Sequence, residues 1–155
     1  MKKEPSEPAP IFVRNLQRKI ACDRMALERF ARRALLLCRQ EPGAGLTSHG
    51  DLGVLVVSDR RMAQLHRRFM QIAGPTDVIT FQHGEIFISV ETAERQAAAY
   101  GTSLEHELRL YLVHGLLHLH GFDDHDPAAR RRMHSVQERI VRLASRNTPG
   151  VRTLE

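Results

Sequence analysis

The stretch SLEHELRLYLVHGLLHLHGFDDHD, residues 103–126, decides the fold of this 155-residue chain. Its first part is apolar in a helical pattern and predicts a helix over 103–120. Gly121 can adopt a positive φ, which predicts the end of that helix. Residues 114–126 contain four of the nine histidines and three aspartates. Side chains that can bind a metal ion therefore collect at the end of an apolar helix.

His114 and His118 are four residues apart, so their side chains leave one face of the helix about one turn apart. Two imidazoles at this spacing bind one metal ion in the H-E-x-x-H zinc proteins. A turn at Gly121 lets the chain return with a third ligand, and Asp124 and His125 follow closely. Three protein ligands leave a fourth position open, which is typical of catalytic zinc. We therefore predict one Zn²⁺ per chain, although other divalent transition metals suit the same ligands.

The residue after His114 separates this chain from the zinc peptidases. In H-E-x-x-H that residue is the glutamate that acts as general base, whereas here it is Gly115. Glycine inside a helix costs about 1 kcal/mol relative to alanine. We therefore expect Gly115 to permit the close approach of another backbone or of a substrate. Peptide hydrolysis by the usual route is disfavoured.

Two further residues of the same helix, Glu107 and His120, could lie near the predicted metal site. Glu107 is seven residues before His114 and falls on the same face. It is a candidate to hydrogen-bond a ligand imidazole or a water molecule on the substrate side. His120 falls on a different face, and we expect it at the surface or in a groove.

The composition favours a polyanionic partner. The formal net charge is +5, and arginine, which can hold two phosphate oxygens at once, far outnumbers lysine. A solvated basic surface is the alternative. No apolar run reaches the ~18–20 residues of a membrane span, and we expect that the N-terminal residues are not a secretory signal, because no apolar stretch follows their lysines. Two cysteines without a C-x-x-C pair exclude a cysteine-based zinc ribbon, so we expect a cytoplasmic protein.

The remaining patterns predict an α+β fold. Strands are predicted at 11–17, at 51–59, after the turn at Gly74-Pro75 and at 83–90, the last two as a hairpin, and helices after Asp23 and at 60–70, 91–100, 103–120 and 127–146. This order predicts a small four-stranded sheet covered by about five helices. We expect one catalytic domain over 11–146, between disordered tails at 1–10 and 147–155.

Four ordered segments resemble the YbeY family of bacterial metal-dependent endoribonucleases. The first is HGLLHLHGFDDH (114–125), which resembles the signature H-G-x-L-H-L-x-G-[YF]-D-H. The second is GPTDVITF (74–81), which is similar to P-T-D-V-L-S-F. The third is GEIFISVETAERQA (84–97), which is similar to G-D-I-x-I-S-x-E-x-A-x-x-Q-A. The fourth is SLEHELRLYLVHG (103–115), which resembles the helix of the first histidine.

The resemblance covers roughly residues 51–145, and its four segments together are highly specific. It implies a mixed sheet with a metal held by three histidines on the helical side. It also implies a single-strand-specific endoribonuclease that acts in ribosomal RNA maturation and ribosome quality control. The expected partners are ribosomal RNA or ribosomal subunits, and the oligomeric state stays open.

The chain departs from the family pattern at the third ligand. The family histidine lies ten residues after the first, where this chain has Asp124, and His125 comes one residue later. Either Asp124 substitutes as an oxygen ligand or the local backbone lets His125 reach the metal, and zinc accepts both donors. We favour His125.

A second departure is Met70, where family members commonly carry an arginine implicated in RNA cleavage. Arg68 is the candidate to bind the anion from a neighbouring position. The absence of an arginine at Met70 supports an alternative function, a ribosome-associated RNA-binding assembly factor with a structural metal and weak or no cleavage. A zinc hydrolase of another substrate is a third hypothesis, which Gly115 disfavours.

Overall fold

The computed structural model describes residues 10–48 and 50–146, and the tails predicted at 1–10 and 147–155 lie outside these ranges except for Pro10. The strands are β1 (Ile11–Asn15), β2 (Leu52–Val57), β3 (Val78–Phe81) and β4 (Glu85–Ser89). The helices are α1 (Arg24–Arg39), α2 (Gly45–Ser48), α3 (Asp59–Met70), α4 (Val90–Tyr100), α5 (Leu104–His120) and α6 (Pro127–Ala144). In these ranges no helix has the length and apolar character needed to cross a bilayer.

The four strands form one mixed sheet in the order β1-β2-β4-β3. Strands β1, β2 and β4 are parallel, and β3 pairs antiparallel with β4 as the predicted hairpin. Because side chains alternate across a strand, β1, β2 and β4 each send one set of apolar residues to the helical side. The predicted α+β class with a mixed four-stranded sheet is confirmed.

Helix α5 is the centre of the core. It contacts α1, α4, α6 and two strands, and it is buried nearly all round, as expected for a helix that is apolar on most faces. Its fully buried residues are Leu112, Val113, Leu116 and Leu117. The apolar stretch that predicted this helix therefore explains why the sheet and the other helices pack around it.

Gly115 brings α5 close to the sheet. A Cβ atom at this position would lie 2.7 Å from Cγ2 of Ile86, the second residue of β4. The predicted close approach is confirmed, but the partner is a buried side chain of the sheet. The expectation of a backbone or a substrate there was wrong. The C-terminal half of α5 thus lies over the end of the sheet where β4 begins.

The helix ends follow the expected capping chemistry. The Asp23 carboxylate accepts a hydrogen bond from the Ala26 N–H at the start of α1. Gly121, with φ 114°, ends α5. Asp126 caps α6, where Pro127 occupies the first turn.

The segment between α1 and β2 contains a sixth helix that the sequence did not predict. The short helix α2 covers the C-terminal end of α5, and this explains His120, whose side chain is 1% exposed. His120 Nε2 donates to the Glu41 carbonyl (2.8 Å), and Nδ1 accepts from the Leu46 N–H (3.3 Å). The expectation that His120 lies at the surface or in a groove was wrong, because this loop closes over it.

We expect Gly45→Ala to destabilise the protein by about 3 kcal/mol, near the upper end of the usual range for overpacking. The added Cβ would lie 1.8 Å from the Leu119 carbonyl oxygen, so the backbone has to move. Gly50→Ala is the matched control, since no atom lies within 4 Å of its Cβ position. Urea unfolding of both variants measures the difference. Equal stabilities would contradict the packing of α2 on α5.

Candidate metal centre

Three of the predicted ligands come together at the end of α5. The Nε2 atoms of His114 and His118 are 3.0 Å apart, and an Asp124 oxygen lies 4.0 Å from His118 Nε2. One donor atom from each of the three side chains lies within 4.8 Å of the other two. All three residues are half-buried, so the group is held by the protein and reachable from solvent.

Hydrogen bonds on the far side of each ring orient the two imidazoles. His118 Nδ1 donates to the Phe122 carbonyl oxygen at 3.1 Å, and His114 Nδ1 donates to the Gln137 Oε1 atom at 2.9 Å. Each Nε2 atom is then left with a lone pair. This is the tautomer in which metal-binding histidines are held, with the other ring nitrogen bonded to an acceptor.

The donor set therefore fits a divalent cation. Two nitrogen lone pairs 3.0 Å apart repel each other unless a positive charge lies between them. The Asp124 carboxylate adds a negative charge on the same side of the pair. Nitrogen and carboxylate donors of this kind suit Zn²⁺ and the neighbouring transition metals.

Burial prepares His118 for such a role. It lowers the pKa of this imidazole, the nearby His114 lowers it further, and the Asp124 charge opposes both effects. A lowered pKa keeps the ring neutral at neutral pH, and only the neutral ring can donate a lone pair to a metal.

The turn after α5 places the Asp124 carboxylate beside the histidine pair and leaves the His125 side chain exposed to solvent. The Phe122 N–H donates to the Leu117 carbonyl, which closes the turn beyond Gly121. The His125 N–H donates to the Asp123 carboxylate, and the His125 side chain is exposed. The geometry does not support our preference for His125. The turn places Asp124, ten residues after His114, beside the histidine pair.

Gln137 is a site residue that the sequence did not reveal. It lies on α6, and its contact with His114 spans 23 positions of the chain. Neither helical periodicity nor the histidine motif points to a glutamine on a different helix. Only the packing of α6 against α5 identifies it.

A cleft of about 230 Å³ opens beside the group. His114 and Asp124 line it from one side, and α6 contributes Arg130, Met133, His134 and Gln137. The Arg130 guanidinium has no carboxylate within ion-pair distance among residues 10–48 and 50–146. A free positive charge thus faces the same space as the candidate ligands.

Glu107 lies deeper in the fold than the hypothesis assumed. Its side chain is buried and accepts a hydrogen bond from Thr102 Oγ1 at 2.7 Å. Burial raises the pKa of the Tyr111 hydroxyl, and the nearby charges of Asp77 and Glu107 raise it further. The hydrogen bond to a histidine of the pair that we expected from Glu107 comes from Gln137.

Arg68 lines a different cavity. Its guanidinium carbon lies 5.3 Å from the centre of the Phe69 ring, next to Phe81 and Phe87. The side chain of Met70, at the end of the same helix, is exposed. Arg130, and not Arg68, lines the cleft beside His114.

We expect Gln137→Ala to lower the affinity for Zn²⁺ by about 10–100-fold, the usual effect of removing an acceptor behind a ligand imidazole. Gln137→Glu keeps an oxygen at the hydrogen-bonding position and should stay close to the parent protein. Competition with a coloured chelator measures both affinities. If the alanine and glutamate variants bind zinc equally well, the hydrogen bond to His114 does not orient the ring.

The fold and the site together define a small α+β protein with a two-histidine, one-aspartate candidate metal centre beside a cleft. The family model described as endoribonuclease YbeY matches residues 12–145, and this chain belongs to that family. The endoribonuclease YbeY of Heliobacterium modesticaldum is 36% identical over 126 residues, covering 68% of this chain and 75% of the relative. That of Pelotomaculum thermopropionicum is 32% identical over 147 residues, covering 85% and 95%.

A solved structure has the same overall fold. The solution structure of TM1509 from Thermotoga maritima is similar with a TM-score of 0.59 and 25% identity. The similarity covers 92% of this chain and 99% of that one.

Proposed function

We propose that this protein is a zinc-dependent endoribonuclease that cuts single-stranded RNA during ribosomal RNA maturation and ribosome quality control. The observation that supports it most directly is the His114–His118 pair with Asp124, open to a cleft that also holds Arg130. Membership of the endoribonuclease YbeY family supports the reaction class. Ribosomal RNA in ribosomal subunits is the proposed substrate, which would place the protein in the cytoplasm.

His114, His118 and Asp124 would hold one metal ion, which we propose is Zn²⁺. A bound Zn²⁺ supplies Lewis-acid chemistry, since it polarises a phosphoryl oxygen and lowers the pKa of water. The protein's own contribution is orientation: Gln137 and the Phe122 carbonyl fix the two rings. Elemental analysis of protein purified without added metal should find about one ion per chain.

Arg130 is the residue that we propose binds the phosphate at the cut. It lines the cleft next to Asp124, and a guanidinium can offset the negative charge that develops on phosphate oxygens. It would fulfil the role of the arginine that the chain lacks at Met70. Arg68, our earlier candidate, lines a separate cavity.

We expect Arg130→Ala to slow cleavage by about 100-fold, the lower end of the effect of removing one transition-state donor. Arg131→Ala is the matched control, because Arg131 is exposed on the same helix and does not line the cleft. Single-turnover rates and zinc content are measured for both variants. Equal rates in the two variants would remove Arg130 from the mechanism.

The alternative of an assembly factor with a structural metal is not favoured. Structural zinc sites are closed by four protein ligands, whereas this group brings together three donors beside an open cleft. Family membership also favours catalysis. The main support for the alternative was that Met70 stands where family members commonly carry an arginine, and we propose that Arg130, which lines the cleft, takes over that role.

The proposed function is tested by incubating zinc-loaded protein with a single-stranded RNA and with a duplex of the same sequence. We expect cleavage of the single strand, little cleavage of the duplex, and no cleavage by His114→Ala. RNA that the parent protein binds without cutting would support the assembly-factor alternative. RNA that the His114→Ala variant cuts at the parent rate would contradict a role for the histidine pair.

A further inference from the structure

The face of the sheet away from α5 is only half covered. Helix α3 packs over the β3–β4 side, where its Met62 and Leu65 join a small cluster with Val57, Ile79 and Phe87. On the β1–β2 side, Phe12, Arg14 and Gly53 point to the same face, as the alternation of buried and exposed residues shows. A groove remains between α3 and the β1 edge.

The groove consists of two adjoining cavities. The cavity over β1 and β2 has a volume of about 610 Å³, and the cavity beside α3 has a volume of about 440 Å³. His83, in the β3–β4 turn, and Glu85, the first residue of β4, line both of them. The groove is therefore continuous from the β1 edge to α3.

Aromatic rings lie along this groove with their surfaces exposed. Phe12 is 52% exposed at one end, and Phe69 is 55% exposed at the other. Between them, Phe81 contacts Phe69 edge to face and stacks on His83, with ring centres 5.1 and 5.7 Å away. Exposed phenylalanines on a folded surface are unfavourable in water and suit flat, apolar partners.

The charges of the groove complement an anion. Arg14, Arg61 and Arg68 line it, and no carboxylate lies within ion-pair distance of them among residues 10–48 and 50–146. Glu28 forms ion pairs with Arg24 and Arg32, and the Glu85 carboxylate accepts a hydrogen bond from His83. Asp51 and Glu85 are the acidic side chains of the groove that have no arginine partner among residues 10–48 and 50–146, and the arginines outnumber them.

We propose that this groove binds single-stranded RNA, with bases stacked on Phe12 and Phe69 and phosphates held by Arg14, Arg61 and Arg68. Alternating aromatic rings and guanidinium groups are the chemistry that recognises unpaired bases on a phosphate backbone. A duplex hides its base faces, so the groove favours single strands. The proposal rests on the proposed endoribonuclease function and adds a second surface to it.

The groove and the histidine pair lie at one end of the sheet. The Gly53 N–H donates to the carbonyl of Gly84, in the β3–β4 turn next to His83, which places this turn beside the start of β2. On the opposite face, Gly115 packs on Ile86 at the start of β4, and His114 precedes it. An RNA strand seated in the groove would have to pass around this end of the sheet to reach the cleft.

The test measures the binding of an uncleavable single strand, a 2′-O-methyl RNA, by fluorescence anisotropy. Phe12→Ala and Arg14→Ala remove a ring and a charge from the groove. Gly53→Leu adds bulk to its floor, where no atom lies within 4 Å of the Cβ position. Tyr100→Ala and Arg142→Ala are the matched controls, because both residues are exposed and line neither cavity.

We expect the Phe12 variant to weaken binding by about ten-fold, within the range for loss of one stacked base. The Gly53 variant should also weaken binding, and both controls should match the parent. Arg14→Ala should lower the slope of log affinity against log salt by roughly 0.7, the contribution of one phosphate contact on a single strand. Unchanged melting temperatures show that the variants are folded.

The outcomes separate this inference from the proposed function. If the parent protein cuts RNA and the groove variants bind RNA as tightly as the parent, the proposed RNA-binding groove is wrong and the proposed endoribonuclease function is unaffected. A parent protein that neither binds nor cuts RNA overturns the proposed function itself. Loss of affinity in the groove variants alone, with cleavage chemistry intact at saturating RNA, supports the groove.

Discussion

A His118→Ala protein is expected to bind Zn²⁺ far more weakly than the parent and to lose RNA cleavage. His118 supplies one of three donors, and its Nε2 atom lies 3.0 Å from that of His114. Removing it leaves one imidazole and one carboxylate. The loss of zinc affinity should exceed ~100-fold, which is the largest loss usually seen when a residue that only hydrogen-bonds a metal ligand is removed.

His106→Ala is the matched control for this variant. His106 lies on the same helix, three turns before His118, and takes no part in the His114–His118–Asp124 group. Zinc affinity is measured by chelator competition and cleavage by single-turnover assays on both proteins. If His118→Ala keeps the zinc affinity of the His106 variant, the metal lies elsewhere.

Replacement of Asp124 and of His125 is expected to have very unequal effects. Asp124→Ala should lower zinc affinity as strongly as the loss of a histidine, because the Asp124 carboxylate is the third donor in reach. His125→Ala should bind zinc like the parent, since the His125 side chain is exposed and outside the group. Asp124→His restores the residue type of the family signature and should keep a three-donor site.

The same zinc titration compares the three variants, with thermal melting as a check of folding. A large loss in His125→Ala together with a small loss in Asp124→Ala would reverse the assignment. It would mean that the turn after Gly121 rearranges when the metal binds.

The fold could be predicted from local patterns because the elements follow simple rules. Apolar residues at helical spacing, a capping Asp23, Pro127 in a first turn and Gly121 at a helix end all appear as expected. Helix α2 was missed, since glycine and proline around it are typical of a break and the helix has four residues. Its stability comes from packing on α5, which a local pattern does not contain.

The histidine pair could be predicted for the same reason, since a spacing of four is a property of one helix. The third donor depends on the backbone path through a turn, and the sequence left Asp124 and His125 as alternatives. Gln137 and Arg130 come from α6, so their place beside the pair depends on how two helices pack. Glu107 lies on the same face of α5 as His114, but two turns before His114 that face is buried in the core, so Glu107 does not reach the histidine pair.

The most direct test is a crystal structure of zinc-loaded protein with anomalous diffraction at the zinc edge. We expect one ion per chain, about 2.0–2.2 Å from His114 Nε2, His118 Nε2 and an Asp124 oxygen, with a fourth position facing the cleft of Arg130. An ion bound by His125 in place of Asp124 would contradict the third ligand. No anomalous peak at the histidine pair would contradict the metal centre and the zinc-dependent mechanism built on it.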